Sequence, residues 1–224
     1  MTPREEPGAL APAATEPVRV LPYGDQALLI EPADPAQILP LRDALVGLPG
    51  CSEFVPAAGT LLVRIEAATF VRATLDAALT AALARAGQGA PYSDPDAPCV
   101  VLPVRYDGAD LDLIADDAGC SPDEVVRRHS TATYQVAFCG FSPGFAYLSG
   151  GDRSLDQPRL ATPRRSVPAG SVGIAAGYTG VYPRESPGGW RLLGTTAATL
   201  WDPFRDDPAL LPPGTRVRFE IEPS

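Results

Sequence analysis

The stretches YQVAFCGFSPGFAYLSGG (134–151) and PRLATPRRSVPAGSVGIAAGYTGVYPRESPGGWRLLGTT (158–196) decide the fold of this 224-residue chain. Short apolar runs alternate with turns built from Gly, Pro and Ser, the pattern of many short strands folding back on one another. Turns this numerous hold their shape only on a scaffold, so the pattern points to a closed or sandwiched β-domain. Six arginines, Arg153, Arg159, Arg164, Arg165, Arg184 and Arg191, fall between Tyr134 and Thr195. Rigid loops that carry aromatic rings and guanidinium groups have the composition of an anion-binding surface.

Outward from this region, strand CVVLPVRY opens the domain, and TLW and TRVRFEIE read as its closing strands. Two short helices are expected before Tyr134, near Leu111–Ala118 and Pro122–His129. Ser121, Pro122 and Glu124 give the second a capping box with proline at the first helical position. Further upstream, VRVLP and ALLIE flank a turn at Tyr23-Gly24-Asp25-Gln26, and CSEFVPA and TLLVRIE flank Ala58-Gly59. A first helix starts at Pro35, capped by Asp34, or at Pro40. Val71, Leu75, Ala78, Leu79, Ala82, Leu83 and Ala86 recur at helical spacing, with Gly87 as the stop. The expected organisation is a Pro/Ala/Glu-rich disordered tail (1–17), a small α/β domain (18–87), a linker (88–98) and a β-domain (99–224), an α+β chain.

Composition excludes several functions. A net charge of -9 argues against nucleic acid and against anionic membrane surfaces as partners. No apolar run has the length of a membrane span, and no basic-then-apolar leader opens the sequence. The four cysteines are scattered without a CxxC pair, which with the missing leader implies reduced thiols and a cytoplasmic location. All eighteen basic residues are arginine. Schiff-base catalysis, a P-loop lysine, a lysine-dependent amidase and a covalent biotin on this chain are therefore excluded. One histidine and no paired cysteines leave no expected metal site.

Gly140-Phe141-Ser142-Pro143-Gly144 matches the G-x-S-x-G of serine hydrolases. Pro143, however, has no N–H to offer an oxyanion, no helix pattern follows, and the single His129 precedes the serine. Ser142 reads as a turn residue. His129 stands either as a helix-end residue or as an acid, base or hydrogen-bonding group. Arg164 and Arg165 lie beside Gly170 and Ser171, a combination suited to a carboxylate or phosphate. Trp190, delivered by Gly188-Gly189, is either core or pocket wall.

Longer motifs carry a resemblance. Tyr23-Gly24-Asp25, His129-Ser130, Tyr134, GFSPGFAYL (140–148), TPRRSVPAGSVGIA (162–175), TGVYP (179–183), SPGGW (186–190) and Gly194-Thr195 resemble the family of allophanate hydrolase subunit 1, a carboxyltransferase-domain family. That family includes the B subunit of bacterial 5-oxoprolinase and the Kip-type inhibitor of a sensor histidine kinase. The resemblance implies a small N-terminal α/β domain and a cyclophilin-like β-barrel. It implies an assembly with a subunit 2 partner, which is the C subunit of 5-oxoprolinase, and with the A subunit of the same enzyme. The implied reaction opens 5-oxo-L-proline to L-glutamate with ATP and Mg at the level of the complex. On this reading the small-molecule substrate meets Arg164, Arg165, Gly170, Ser171, Tyr178, Thr179 and Tyr182. Phe141, Pro143, Phe145, Tyr147, Pro168 and Trp190 wall the pocket, and His129 is a candidate catalytic group. The alternatives are kinase inhibition without catalysis, and carboxyl transfer to a urea-like amide with biotin on a separate carrier. Two positions depart from the family pattern: Tyr178 stands where Gln is usual, and Ala146 where Pro is usual.

Overall fold

The computed structural model describes residues 17–86 and 99–222. The linker and, apart from Pro17, the tail expected from composition lie outside the described residues.

The N-terminal layer is an antiparallel sheet with two helices on one face. Strands β1 (Val18–Pro22) and β2 (Ala27–Pro32) form the hairpin expected around Tyr23–Gln26, closed by Tyr23 N–H donating to Ala27 O at 2.9 Å. Gly24 takes φ 67° there, a conformation glycine adopts without a Cβ clash. β3 (Cys51–Pro56) and β4 (Leu61–Ile65) complete the order β1-β2-β4-β3. Asp34 Oδ1 accepts from Ala36 N at 2.9 Å and starts a 3₁₀ turn at Pro35–Gln37. The α-helix α1 (Ile38–Leu45) follows, so it begins between the two expected starts. Pro40 is tolerated because first-turn N–H groups have no intrahelical acceptor. α1 and α2 (Arg72–Ala86) bury Ile38, Leu41, Leu45, Leu75, Leu79 and Ala82 against Leu28, Ile30, Leu61 and Val63 of the sheet.

The remaining residues build a seven-stranded, nearly closed sheet. Its strands are β5 (Cys99–Val104), β6 (Tyr134–Cys139), β7 (Ala146–Ser149), β9 (Ser171–Ala175), β10 (Tyr178–Val181), β12 (Arg191–Thr195) and β13 (Arg216–Ile221), in the order β12-β9-β10-β7-β6-β13-β5. β8 (Arg164–Val167) and β11 (Ser186–Gly188) form a separate two-stranded ribbon. The sheet's two edges meet beyond β5, where Arg105 and Thr195 exchange N–H···O bonds of 2.9 and 2.8 Å. Leu102, Val104, Val136, Leu148, Val172, Val181, Val217 and Phe219 fill the interior. α3 (Leu111–Ala118) and α4 (Pro122–Thr131) pack Ile114, Ala115 and Val125 against Leu155, Ile174 and Leu193.

Three local expectations are revised. The capping box of α4 is half formed: Ser121 Oγ accepts from Glu124 N at 3.2 Å, but the Glu124 carboxylate turns to Arg127 and Arg128 at 2.6 and 2.7 Å. TLW is not a strand, since Trp201 makes only an isolated bridge to Ala209 and Pro203, which lacks an N–H, follows closely. The Gly188-Gly189 pair, read only as delivering Trp190, starts inside a strand, because β8 pairs with Ser186–Gly188.

Gly194 sits where the two edges meet, and a Cβ there would run into the Arg105 carbonyl. Gly194→Ala is expected to lower unfolding stability by about 3 kcal/mol, read from urea denaturation.

Candidate functional site

Side chains alternate across a strand, so a barrel wall sorts them into an inner and an outer set. In β9 and β10 the registers Thr179↔Ile174 and Val181↔Val172 put Thr179 on the inside. Tyr178, paired with Ala175, falls on the outer set with Tyr182. The expected site residues are therefore split between two faces.

The inner set borders a cavity of about 460 Å³ at one end of the barrel. Its lining includes His129, Tyr134, Leu148, Ile174, Tyr178, Thr179 and the loop Gly150–Gln157. That loop is tied down at several points. Asp152 Oδ1 accepts from Ser154 N and Oγ at 2.9 and 2.7 Å, and Arg128 Nη1 donates to Ser154 Oγ at 2.7 Å. Asp156 Oδ1 accepts from Gly177 N at 2.6 Å, and Gln157 O accepts from Ala176 N at 2.7 Å. Buried Arg191 clamps the loop's end by donating to both Gln157 Oε1 and Asp117 Oδ2. Of the two carboxylates in the lining, Asp152 thus holds the loop's own backbone and Asp156 ties the loop to the Ala176-Gly177 turn. The Arg153 side chain has no hydrogen-bond or ion-pair partner among the described residues.

The cavity floor is a polar network closed on itself. Tyr106 Oη lies 2.8 Å from His129 Nδ1, and Thr179 Oγ1 lies 3.3 Å from Nε2. With Tyr106 donating, Nε2–H donates to Thr179, Thr179 donates to the Tyr134 phenol, and Tyr134 donates to His129 O at 3.1 Å. His129 also packs its ring 4.6 Å from that of Phe219. It is fully buried, and that desolvation pulls its pKa down to about 3. A neutral imidazole with both nitrogens engaged holds the floor together. Of the two roles open in the sequence, this geometry fits a structural one, reached through the core rather than through helix-end carbonyls.

The outer set is aromatic. Phe145, Tyr182 and Trp190 are buried together, with Phe145 5.3 Å from Tyr182 and 5.4 Å from Trp190. Tyr147 and Tyr178 lean on this cluster, and Phe141 is its exposed edge, 5.3 Å from Phe145. Gly180 gives Trp190 room to lie across the strand. Of the six expected pocket walls, Phe145 and Trp190 are core of the outer layer, Tyr147 is partly buried against them and Phe141 is exposed. Pro143 and Pro168 are exposed.

The arginine pair divides. Arg164 Nη2 meets buried Asp110 Oδ1 at 2.6 Å, while Asp110 Oδ2 accepts from Leu192 N at 2.7 Å. Arg164 is thereby neutralised as part of the join between β8 and β12. Arg165 is exposed and lies outside the cavity lining. Gly170, at φ 78°, and buried Ser171 sit at a tight approach to Thr196, also away from the cavity. In GFSPG, Phe141 rather than Ser142 takes the positive φ (65°), and the Ser142 hydroxyl is buried without a partner. That leaves it no base, as expected for a turn residue.

Arg153, Asp156 and Gln157 do not stand out in the sequence as cavity residues. Their one signal is Asp152 two residues before Ser154 after a Gly-Gly pair, a turn motif that shows a loop but not what it covers.

Two measurements check this assignment. Arg164→Ala is expected to cost about 3 kcal/mol in unfolding stability by stranding Asp110. His129 binds its proton in the unfolded chain below about pH 6.5 and in the folded protein only near pH 3, so the unfolded state holds more protons between those values. Stability falls as pH drops through that window, by up to about 1.4 kcal/mol per pH unit. Urea midpoints at pH 5 to 6.5 should show this slope, and His129→Gln should flatten it.

Known proteins bear on this geometry. The family model for the carboxyltransferase domain, subdomain C and D, matches residues 18–211. The chain is 40% identical over 205 residues to the 5-oxoprolinase B subunit of Escherichia coli O157:H7, covering 88% of this chain and 92% of that protein. Among solved structures, TTHA0988 superimposes with a TM-score of 0.72 at 34% identity, covering 89% of this chain but only 40% of that longer one. The urea carboxylase of Kluyveromyces lactis shares the fold, with a TM-score of 0.64 at 19% identity over 96% of this chain and 23% of that one. With a model match over most of its length and a relative aligned nearly end to end, the chain belongs to the family of carboxyltransferase-domain subdomains C and D.

Proposed function

We propose that the chain is a non-autonomous subunit of an ATP-dependent 5-oxoprolinase, and that its inner cavity binds the lactam without cleaving it. The observation that carries the reading is the cavity of about 460 Å³ whose lining joins Arg153, exposed and without an ion-pair partner among the described residues, to a neutral, self-satisfied floor. 5-Oxo-L-proline offers one carboxylate and one neutral amide. Arg153 suits the first through charge-assisted hydrogen bonds. The half-buried Tyr178 phenol, raised in pKa by its burial, stays protonated and suits the amide oxygen as a donor. The 40% identity to a 5-oxoprolinase B subunit supports the same substrate.

The lining holds no activated nucleophile, since its imidazole is neutral and engaged on both nitrogens. Binding and orientation are the functions these groups can perform. The cavity does not fit ATP. A triphosphate asks for several cations or a cradle of backbone N–H groups, whereas Arg153 shares this lining with Asp152 and Asp156. In this proposal ATP, its Mg and the water that opens the ring are handled where the A and C subunits complete the site.

Reconstitution tests the reading. The chain with its partner subunits should convert 5-oxo-L-proline to glutamate with ATP hydrolysis, and the chain alone should not. Arg153→Ala should raise KM at least about tenfold with little change in kcat, the size of a lost charge-assisted hydrogen bond. A complete complex that is inert toward 5-oxo-L-proline would refute the activity, and an unchanged KM would remove Arg153 from the site.

A further inference from the structure

Tyr178 borders two spaces. On one side lies the inner cavity of about 460 Å³. On the other lies a cleft of about 280 Å³ between the outer face of the barrel and the N-terminal layer. Ile38, Leu39, Ala57 and Ala58 form one wall of the cleft, and Gln135 and Ser149 lie on the other. Tyr178 is the residue common to both linings. Strand alternation explains why. Tyr134, Leu148 and Thr179 face the cavity, whereas their neighbours Gln135, Ser149 and Tyr178 face the cleft. Tyr178 opens β10 directly after Gly177, at the strand's end, so its ring reaches the border of both spaces.

The ring is braced. It meets Phe138 edge-on at 5.5 Å and 83°, and Tyr147 at 5.7 Å and 90°. Those two rings are themselves stacked at 4.2 Å. Edge-to-face contacts of this kind hold an aromatic side chain in one orientation.

We propose that Tyr178 is a specificity-determining residue that closes the inner cavity off from the cleft and so limits the size of ligand the cavity accepts. The cleft behind it is a latent subsite for an apolar substituent, because its far wall is aliphatic and its near wall carries an amide and a hydroxyl. The identity of the head group in the cavity rests on the function proposed above; the partition itself does not.

The test uses the full chain, alone and with its partner subunits, as wild type, Tyr178→Ala and Tyr178→Phe. Binding of 5-oxo-L-proline is compared with binding of 4-benzyl-5-oxo-L-proline, which keeps the carboxylate and the ring amide. Wild type and Tyr178→Phe should bind the benzyl compound at least tenfold more weakly than the parent. Tyr178→Ala should bind the benzyl compound at least tenfold more tightly than wild type does. Equal acceptance of both compounds by wild type, or no gain in Tyr178→Ala, overturns the proposal. A second readout needs no substrate: crystals of Tyr178→Ala soaked with p-cresol. Cresol spanning the vacated position, touching both Leu148 and Leu39, supports the partition. Phe138 or Tyr147 collapsing into the gap, with no cresol bound there, overturns it. Should neither lactam bind any form of the protein, the substrate reading fails and the cresol result alone decides the partition.

Discussion

The exchange of two backbone hydrogen bonds between Arg105 and Thr195 turns a sheet into a barrel. Without it, β5 and β12 are open edges with unpaired amide groups, a liability in any sheet. With it, the wall acquires an inside and an outside. Gly194, where no Cβ fits, and Gly108, packed against Leu192 and Leu193, are what let the two edges come this close. Asp110 reinforces the join by gripping both the Leu192 amide and the Arg164 guanidinium. The chemistry available on either face follows from that closure, because it decides which side each residue faces.

The two faces do different work. The inner end carries a polar floor whose donors and acceptors satisfy one another, beneath a loop fastened to α4, β12 and the Ala176-Gly177 turn. The outer face stacks seven aromatic rings, from Phe138 to Trp190, beneath the β8–β11 ribbon and beside the N-terminal layer. In the proposed function the first face holds a small polar molecule while the second keeps the wall rigid. Arg191 belongs to both, since it leaves the sheet in β12 and ends on the loop.

Much of this is legible in the residues. Turn chemistry at Tyr23–Gln26, apolar periodicity in α2 and the Ser121 cap mark local structure that depends on near neighbours. The aromatic and glycine motifs mark the barrel wall. What cannot be read is which groups meet across long stretches of chain. Arg164 looks like a free cation because Asp110, 54 residues away, gives no sign in the sequence of being its partner. Arg153 looks unremarkable because only the folded loop makes it part of a cavity's lining. His129 is ambiguous because its neutrality depends on Tyr106, Thr179 and Phe219, brought together from three separate strands and connections. In each case the deciding term is tertiary desolvation or pairing.

The closed network beneath the cavity has a consequence for any assembly that includes this chain. Its single histidine is already locked in the uncharged form, so it can neither take up nor release a proton near neutrality. The floor therefore presents the same electrical face to a bound molecule in mildly acidic and mildly alkaline surroundings. A pH-dependent affinity of this cavity would then have its origin outside the floor.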